Sequence, residues 1–345
     1  MHEKKRVARR EFLKAAAGTG LAMAGGSSLA QSFAFTPNQR YPDPSLVILD
    51  PSFTKYRIYS STVEQVATGM RWAEGPVYFP EGGYVLVSDI PNNRIMKFDE
   101  KTGAFTVFRA NANYANGNTR DRQGRLVTCE HSVTRRVTRT EKDGKLTVLA
   151  DSFDGKRLNA PNDVVVRSDD SLWFTDPIFG INGEWEGTRA KPEQATTNVY
   201  RIGTDGKVTA VITDLVNPNG LAFSPDEKVL YVVECATPRT IHAYDVVDAG
   251  RALRNRRIHI DAGAGTPDGF RVDMDGNLWC GWGMGSEALD GVRIFAPDGK
   301  PIGHIHLPER CANACFGGEK RNRLLMAASQ SVYSLYVNTQ GAPYF

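Results

Sequence analysis

Hydrophobic and polar positions alternate with a period of two in short runs over most of the chain, the pattern of half-buried strands rather than helices. β-rich runs fall at 84–89, 125–130, 171–176, 228–234, 277–282 and 323–329. All but the last follow a turn, at Gly82, Gly124, Asp170, Glu227 and Gly276. A further run comes next each time, at 94–99, 135–140, 198–203, 240–246, 291–296 and 331–337. Another is predicted at 105–109, 146–151, 208–213, 257–261 and 302–307.

The runs belong to a repeat. Eight residues before each of the first five turns stands a polar residue: Glu74, Asn116, Asn162, Asn219 and Asp268, with Asn313 as the sixth of the series. Their spacings are 42, 46, 57, 49 and 45 residues, the length of a propeller blade. Five are followed by Gly or Asp: Gly75, Gly117, Asp163, Gly220 and Gly269. The longest interval carries extra residues around 182–197, read as a loop on one face.

The sixth segment lacks its fourth strand, while a spare strand, 63–68, precedes Glu74. Lending that strand to the last blade closes a ring and removes two open sheet edges. The sequence therefore predicts an all-β fold: a six-bladed β-propeller of four-stranded blades over 63–345, closed by an N-terminal strand and preceded by an extension at 35–62. A β-sandwich is the competing architecture, and the repeat count and strand pairing argue against it.

The net charge is +3, from 42 Lys and Arg against 39 Asp and Glu. Residues 1–34 hold six of those bases and two of the acids, which leaves 36 bases, 37 acids and a net of −1 for the rest. Arg9-Arg10-Glu11-Phe12-Leu13-Lys14, followed by a small-residue apolar stretch, resembles the twin-arginine export consensus. Glycines interrupt that stretch, which argues against a stable membrane span. The expectation is export by the twin-arginine translocase to the periplasm and no lasting membrane insertion. The basicity belongs to this segment, so composition gives no support for a nucleic-acid partner.

First strands of propeller blades line the central channel. Glu74, Asn116, Asn162, Asn219, Asp268 and Asn313 should therefore meet on the axis. Two carboxylates in one small space repel unless a proton or cation lies between them. Carboxylate and amide oxygens are hard ligands, suited to Ca²⁺ or Mg²⁺. The competing reading is that these residues serve only turns and inter-blade hydrogen bonds.

Glu74-Gly75-Pro76, Arg157-Leu158-Asn159-Ala160-Pro161-Asn162-Asp163, Pro218-Asn219-Gly220-Leu221 and Pro267-Asp268-Gly269 resemble the gluconolactonase family, which includes the senescence-marker protein regucalcin and bacterial lactonases. Phe174-Thr175-Asp176-Pro177 and Cys315-Phe316-Gly317-Gly318 resemble its bacterial branch. The resemblance implies one divalent metal held by Glu74, Asn162, Asn219 and Asp268, with Ca²⁺ favoured and Zn²⁺ or Mg²⁺ as alternatives. It implies a sugar-lactone substrate opened by water. Asp268 is the expected general base, with nucleophile and ligand-only roles as alternatives. Asn116, Asp163, Arg157 and His131 are the expected substrate contacts. Animal members carry an Arg where Ala160 stands, and Arg157 is the expected substitute. A related esterase or phosphotriesterase, or a non-catalytic scaffold with a structural ion, are the other functions this pattern fits.

Other signals point to structure. His304 and His306 fall in an outer strand, and Asp273-x-Asp275-Gly276 sits at a repeat turn. There is no G-x-S-x-G elbow and no H-E-x-x-H. Trp173, Trp279 and Tyr231 read as blade packing, and Cys129, Cys235 and Cys280 as buried fillers. Spacing alone leaves a bond between Cys311 and Cys315 open.

Overall fold

Alternating apolar residues and glycine-containing turns fold into antiparallel sheets around a common axis. The computed structural model describes residues 35–343. The expected export signal, residues 1–34, lies outside the described residues. Six antiparallel blades follow one another along the chain. Blade 1 is Ala73–Phe79, Tyr84–Asp89, Arg94–Asp99 and Phe105–Ala110. Blade 2 is Ala115–Arg120, Leu126–Glu130, Arg136–Thr140 and Leu146–Ala150. Blade 3 is Val164–Val166, Leu172–Asp176, Thr197–Ile202 and Val208–Leu215. Blade 4 is Pro218–Phe223, Val229–Glu234, Thr240–Val247 and Ala252–Asp261. Blade 5 is Phe270–Val272, Leu278–Trp282, Gly291–Phe295 and Pro301–His306. Blade 6 is Cys311–Gly317, Arg323–Ala328 and Ser331–Tyr336, completed by Glu64–Thr68 from the N-terminal side.

That last pairing is the ring closure. Glu64 faces Ser334 and Thr68 faces Ser331 in antiparallel register. The structure adds a strand that the sequence pattern did not predict. Leu46–Ile48 pairs with the outer strand of blade 5 and makes it five-stranded. The 3₁₀ turn Pro51–Tyr56 follows, with Asp50 capping it through Ser52 N at 3.0 Å. Its Phe53 ring packs 5.9 Å from the Trp279 ring, against the Cβ-less face of Gly303. The segment before the ring thus covers part of blade 5.

The apolar cores lie between blades. Phe174 and Tyr200 of blade 3 pack with Val127 and Val137 of blade 2. Trp173, fully buried, meets Phe223 of blade 4 edge to face at 5.5 Å. Tyr231 and Ile260 of blade 4 pack with Phe270 and Trp282 of blade 5. Burial of this apolar area drives blade to blade association, and the hydrogen-bonded sheets satisfy the backbone within each blade. Cys129 and Cys280 are buried fillers, and all five cysteines are free thiols, so Cys311 and Cys315 are not bonded.

Candidate active site on the propeller axis

The innermost strands deliver the anchors by one recurring device. Pairing between first and second strands is interrupted at Glu74/Val77, Ala115/Asn118, Pro218/Leu221 and Cys311/Asn313. Bulges re-aim side chains next to them. Asn162 and Asp268 instead stand just before the short strands Val164–Val166 and Phe270–Val272. After four of the six anchors stands a glycine, Gly75, Gly117, Gly220 or Gly269, where the next blade comes too close for a Cβ. Gly117 N donates to Asn162 O at 2.7 Å and Gly269 N to Ala312 O at 2.8 Å. A Cβ on Gly220 would stand 2.4 Å from Asp268 O.

The segments leading into four of the anchors are tied down by carboxylates that end the second strands. Asp89 accepts from Arg71 N, and Glu130 from Asn113 Nδ2. Asp176 accepts from both Asn159 N and Ala160 N at 2.8 Å. Glu234 accepts from Val216 N, Asn217 N and Ala236 N at 2.6, 2.9 and 2.8 Å. The sequence reading missed these four clamps, although four second strands visibly end in Asp or Glu.

Glu74, Asn116, Asn162, Asn219 and Asp268 line one cavity of about 290 Å³. Asn116 Nδ2 donates to Asn162 Oδ1 at 2.7 Å, and Asn162 Nδ2 donates to Asn219 Oδ1 at 2.8 Å. Glu74 Oε2 accepts from Gly75 N at 2.7 Å and from Asn313 Nδ2 at 3.0 Å. Asp268 Oδ2 accepts from Arg310 at 2.8 Å. The Arg310 guanidinium also lies over the Trp72 ring, 5.3 Å from its centroid. Burial, then the charges of Asp268 and Asp163, push the Glu74 carboxyl well above its usual value. Burial also raises Asp268, with Arg310 opposing it. The cavity further exposes Glu186, Arg239, Thr266, Phe179 and Met284. Arg310, Glu186, Arg239 and Thr266 carried no repeat signal, because each comes from a connector rather than an anchor position.

Three expected substrate contacts do not line this cavity. Asp163 follows Asn162 directly but does not line the cavity. Its buried carboxylate lies 3.8 Å from the Arg271 guanidinium instead. Arg157 sits on the two-residue ribbon strand Lys156–Arg157 and donates to the carbonyls of Val133 and Thr134 at 2.7 and 3.1 Å. It therefore does not replace the arginine absent at Ala160. His131 is fully buried, with Nδ1 3.0 Å from Pro161 O and Nε2 3.6 Å from the Glu186 carboxylate, so it stands behind the wall. Asn313, the sixth anchor, bridges blades 6 and 1 through Glu74.

Residues 72–330 match the family described as SMP-30/Gluconolactonase/LRE-like region. The chain belongs to this family. It is 32% identical over 307 residues to a gluconolactonase of Zymomonas mobilis, covering 82% of this chain and 83% of that one. It is 28% identical over 285 residues to a pentonolactonase of Haloferax volcanii, covering 80% and 84%. The structure of a gluconolactonase from Xanthomonas campestris superposes with a TM-score of 0.78 at 34% identity, covering 85% of this chain and 94% of that chain. The six-bladed architecture and the family expected from the spaced motifs are therefore both found.

The residues around the cavity fit a hard cation. Among the described residues no group of three or more His, Cys, Asp or Glu side chains is close enough to hold an ion. An ion in the cavity would therefore draw on the amide oxygens beside the two carboxylates. Each amide oxygen that accepts one hydrogen bond keeps a second lone pair. Burial and the neighbouring carboxylates disfavour the charged form of Glu74, and a cation beside it would favour that form, whereas Asp268 already has Arg310 as counter-charge.

Proposed function

We propose that this propeller hydrolyses sugar lactones at the axial cavity, with one divalent cation held by Glu74, Asn162, Asn219 and Asp268. The observation that carries the reading is the convergence of these four residues, from four blades, on one cavity in a chain of the gluconolactonase family. When bound, the cation supplies Lewis-acid polarisation of the lactone carbonyl and stabilises the charge that develops on its oxygen.

The chain's own groups do the rest. Asp268, the carboxylate lining the cavity from the blade 5 side, takes a proton from the attacking water and returns it to the ring oxygen as the lactone C–O bond breaks, leaving the open hydroxy acid. Arg310 fixes that carboxylate through Oδ2, which limits its rotation. Asn116 orients the Asn162 amide, and Asn162 orients Asn219, so the amides form one hydrogen-bonded row. Trp72, Phe179 and Met284 supply the aromatic and apolar part of the lining.

A panel of aldonolactones, aliphatic lactones and aryl esters, run with chelator and then with added metal, tests the proposal. Turnover of sugar lactones should vanish with chelator and return with a divalent ion. Asp268→Asn should lower kcat by about 10²-fold or more, and Glu74→Gln should reduce bound metal. Full activity with unchanged metal content in both variants overturns the assignment.

A further inference from the structure

One side of the cavity carries polar groups that neither the ion site nor the amide row uses. Arg239 stands at the entry to the blade 4 strand Thr240–Val247 and lines the cavity. Its carbonyl is used, accepting from Ala262 N at 3.0 Å. Its half-buried guanidinium has no hydrogen-bond or ion-pair partner among the described residues. The other guanidinium of the wall, that of Arg310, is committed to Asp268. Thr266, on the connector into blade 5, lines the same cavity and is 5% exposed. Its Oγ1 is buried without a hydrogen-bond partner. A buried polar group left unmatched costs stability, and one that faces a ligand cavity is matched when the ligand arrives.

We propose that Arg239 and Thr266 form a subsite for an anionic substituent of the lactone, a carboxylate or a phosphate carried away from the ring carbonyl. The inference rests on the lactonase reading and names the substrate class within it. A planar guanidinium offers paired donors that match carboxylate and phosphate oxygens. The Thr266 hydroxyl, lining the same cavity, offers a third donor. A neutral sugar lactone would leave the positive charge of Arg239 unmatched in a partly desolvated wall. The cavity of about 290 Å³ has room for a six-carbon lactone with one such substituent.

The test compares kcat and KM, with metal present, for neutral glucono-1,5-lactone, for the monolactone of a six-carbon sugar diacid and for a 6-phosphorylated aldonolactone. The wild-type protein should favour at least one anionic substrate by tenfold or more in kcat/KM, and which one identifies carboxylate or phosphate. Arg239→Ala should raise KM for that substrate at least tenfold more than for the neutral lactone. Thr266→Val should raise the same KM severalfold, and Arg239→Lys should restore part of the loss. All three variants are followed by thermal melts to verify folding. Equal use of neutral and anionic lactones, or an Arg239→Ala effect that is the same for both, overturns the subsite while the lactonase reading stands. No hydrolysis of any of the three overturns the lactonase reading and the subsite with it.

Discussion

At the scale of single residues, the site depends on side chains outside the cavity as much as on those within it. Glu234 shows how. Its carboxylate accepts three backbone N–H groups and so fixes the turn before Pro218–Phe223, the strand that carries Asn219. One oxygen serves Val216 and the other serves Asn217 and Ala236. Glu234→Gln replaces one of these acceptors with an NH₂ that faces a donor. A buried donor left unsatisfied costs about 1–3 kcal/mol, more when the lost partner was charged. The variant should therefore unfold at lower denaturant by about that amount, with kcat falling because Asn219 is less well placed. An unchanged midpoint and unchanged kcat would show that the turn holds itself. The anchors themselves were legible because they recur at blade spacing. Arg239, Arg310 and Thr266 were not, because each occurs once, in a connector with no counterpart in other blades. Asp163 and Arg157 lay close in sequence to Asn162, but Asp163 is buried toward Arg271 and the ribbon carries Arg157 to the Val133 and Thr134 carbonyls, so neither lines the cavity.

At the scale of the blade, the glycine that follows four of the anchors has a packing cause. The pattern Asn-Gly or Asp-Gly invites a reading as turns, and four of the six anchors instead lie within strands. The glycines mark where one innermost strand passes against the next. Gly220 demonstrates it, because its ordinary φ places no demand on glycine and only the approach of Asp268 O does. Gly220→Ala pushes a methyl into that backbone atom at 2.4 Å, which cannot retreat without moving Asp268. Overpacking of this kind costs about 1–3 kcal/mol. Loss of stability in the denaturant midpoint should be accompanied by a larger loss of activity than at a core glycine remote from the axis, such as Gly303, replaced in the same way. Equal ratios of activity to stability loss at the two sites would remove the link to the axis. The second, third and fourth strands were read to within a residue or two at most ends, since period-two alternation and turn residues bound them. The outer strand of blade 4 was the exception: it begins at Ala252, five residues before the predicted start, in a stretch rich in arginine that hides the alternation. Leu46–Ile48 escaped notice because three residues are too few to show a period.

At the scale of the whole molecule, closure and charge act on the same axis. Glu64–Thr68 locks blade 6 beside blade 1, and the Asn313 amide of blade 6 donates to Glu74 of blade 1 across that seam. The ring therefore forces Glu74 and Asp268, 194 residues apart in the chain, into one low-dielectric space. Without a cation, ionising Glu74 is disfavoured by burial and by the charges of Asp268 and Asp163. A cation that binds only the folded ring offsets that repulsion, and its effect on stability follows mass action. At a free ion concentration one hundred times its dissociation constant, the gain is about 2.7 kcal/mol. Chelator-treated protein should accordingly melt several degrees higher when Ca²⁺ is added in excess, with a stoichiometry near one ion per chain. Glu74→Gln separates this effect from general ion effects. The amide keeps an oxygen acceptor for Gly75 N and Asn313 Nδ2 while removing one of the two charges. The variant should match or exceed the chelated wild type in melting temperature and should lose most of its response to Ca²⁺. If the wild type gives no response, or the variant responds as strongly, the axial carboxylates do not hold an ion. Their closeness would then have to be balanced by a proton on Glu74 and by Arg310 beside Asp268 alone.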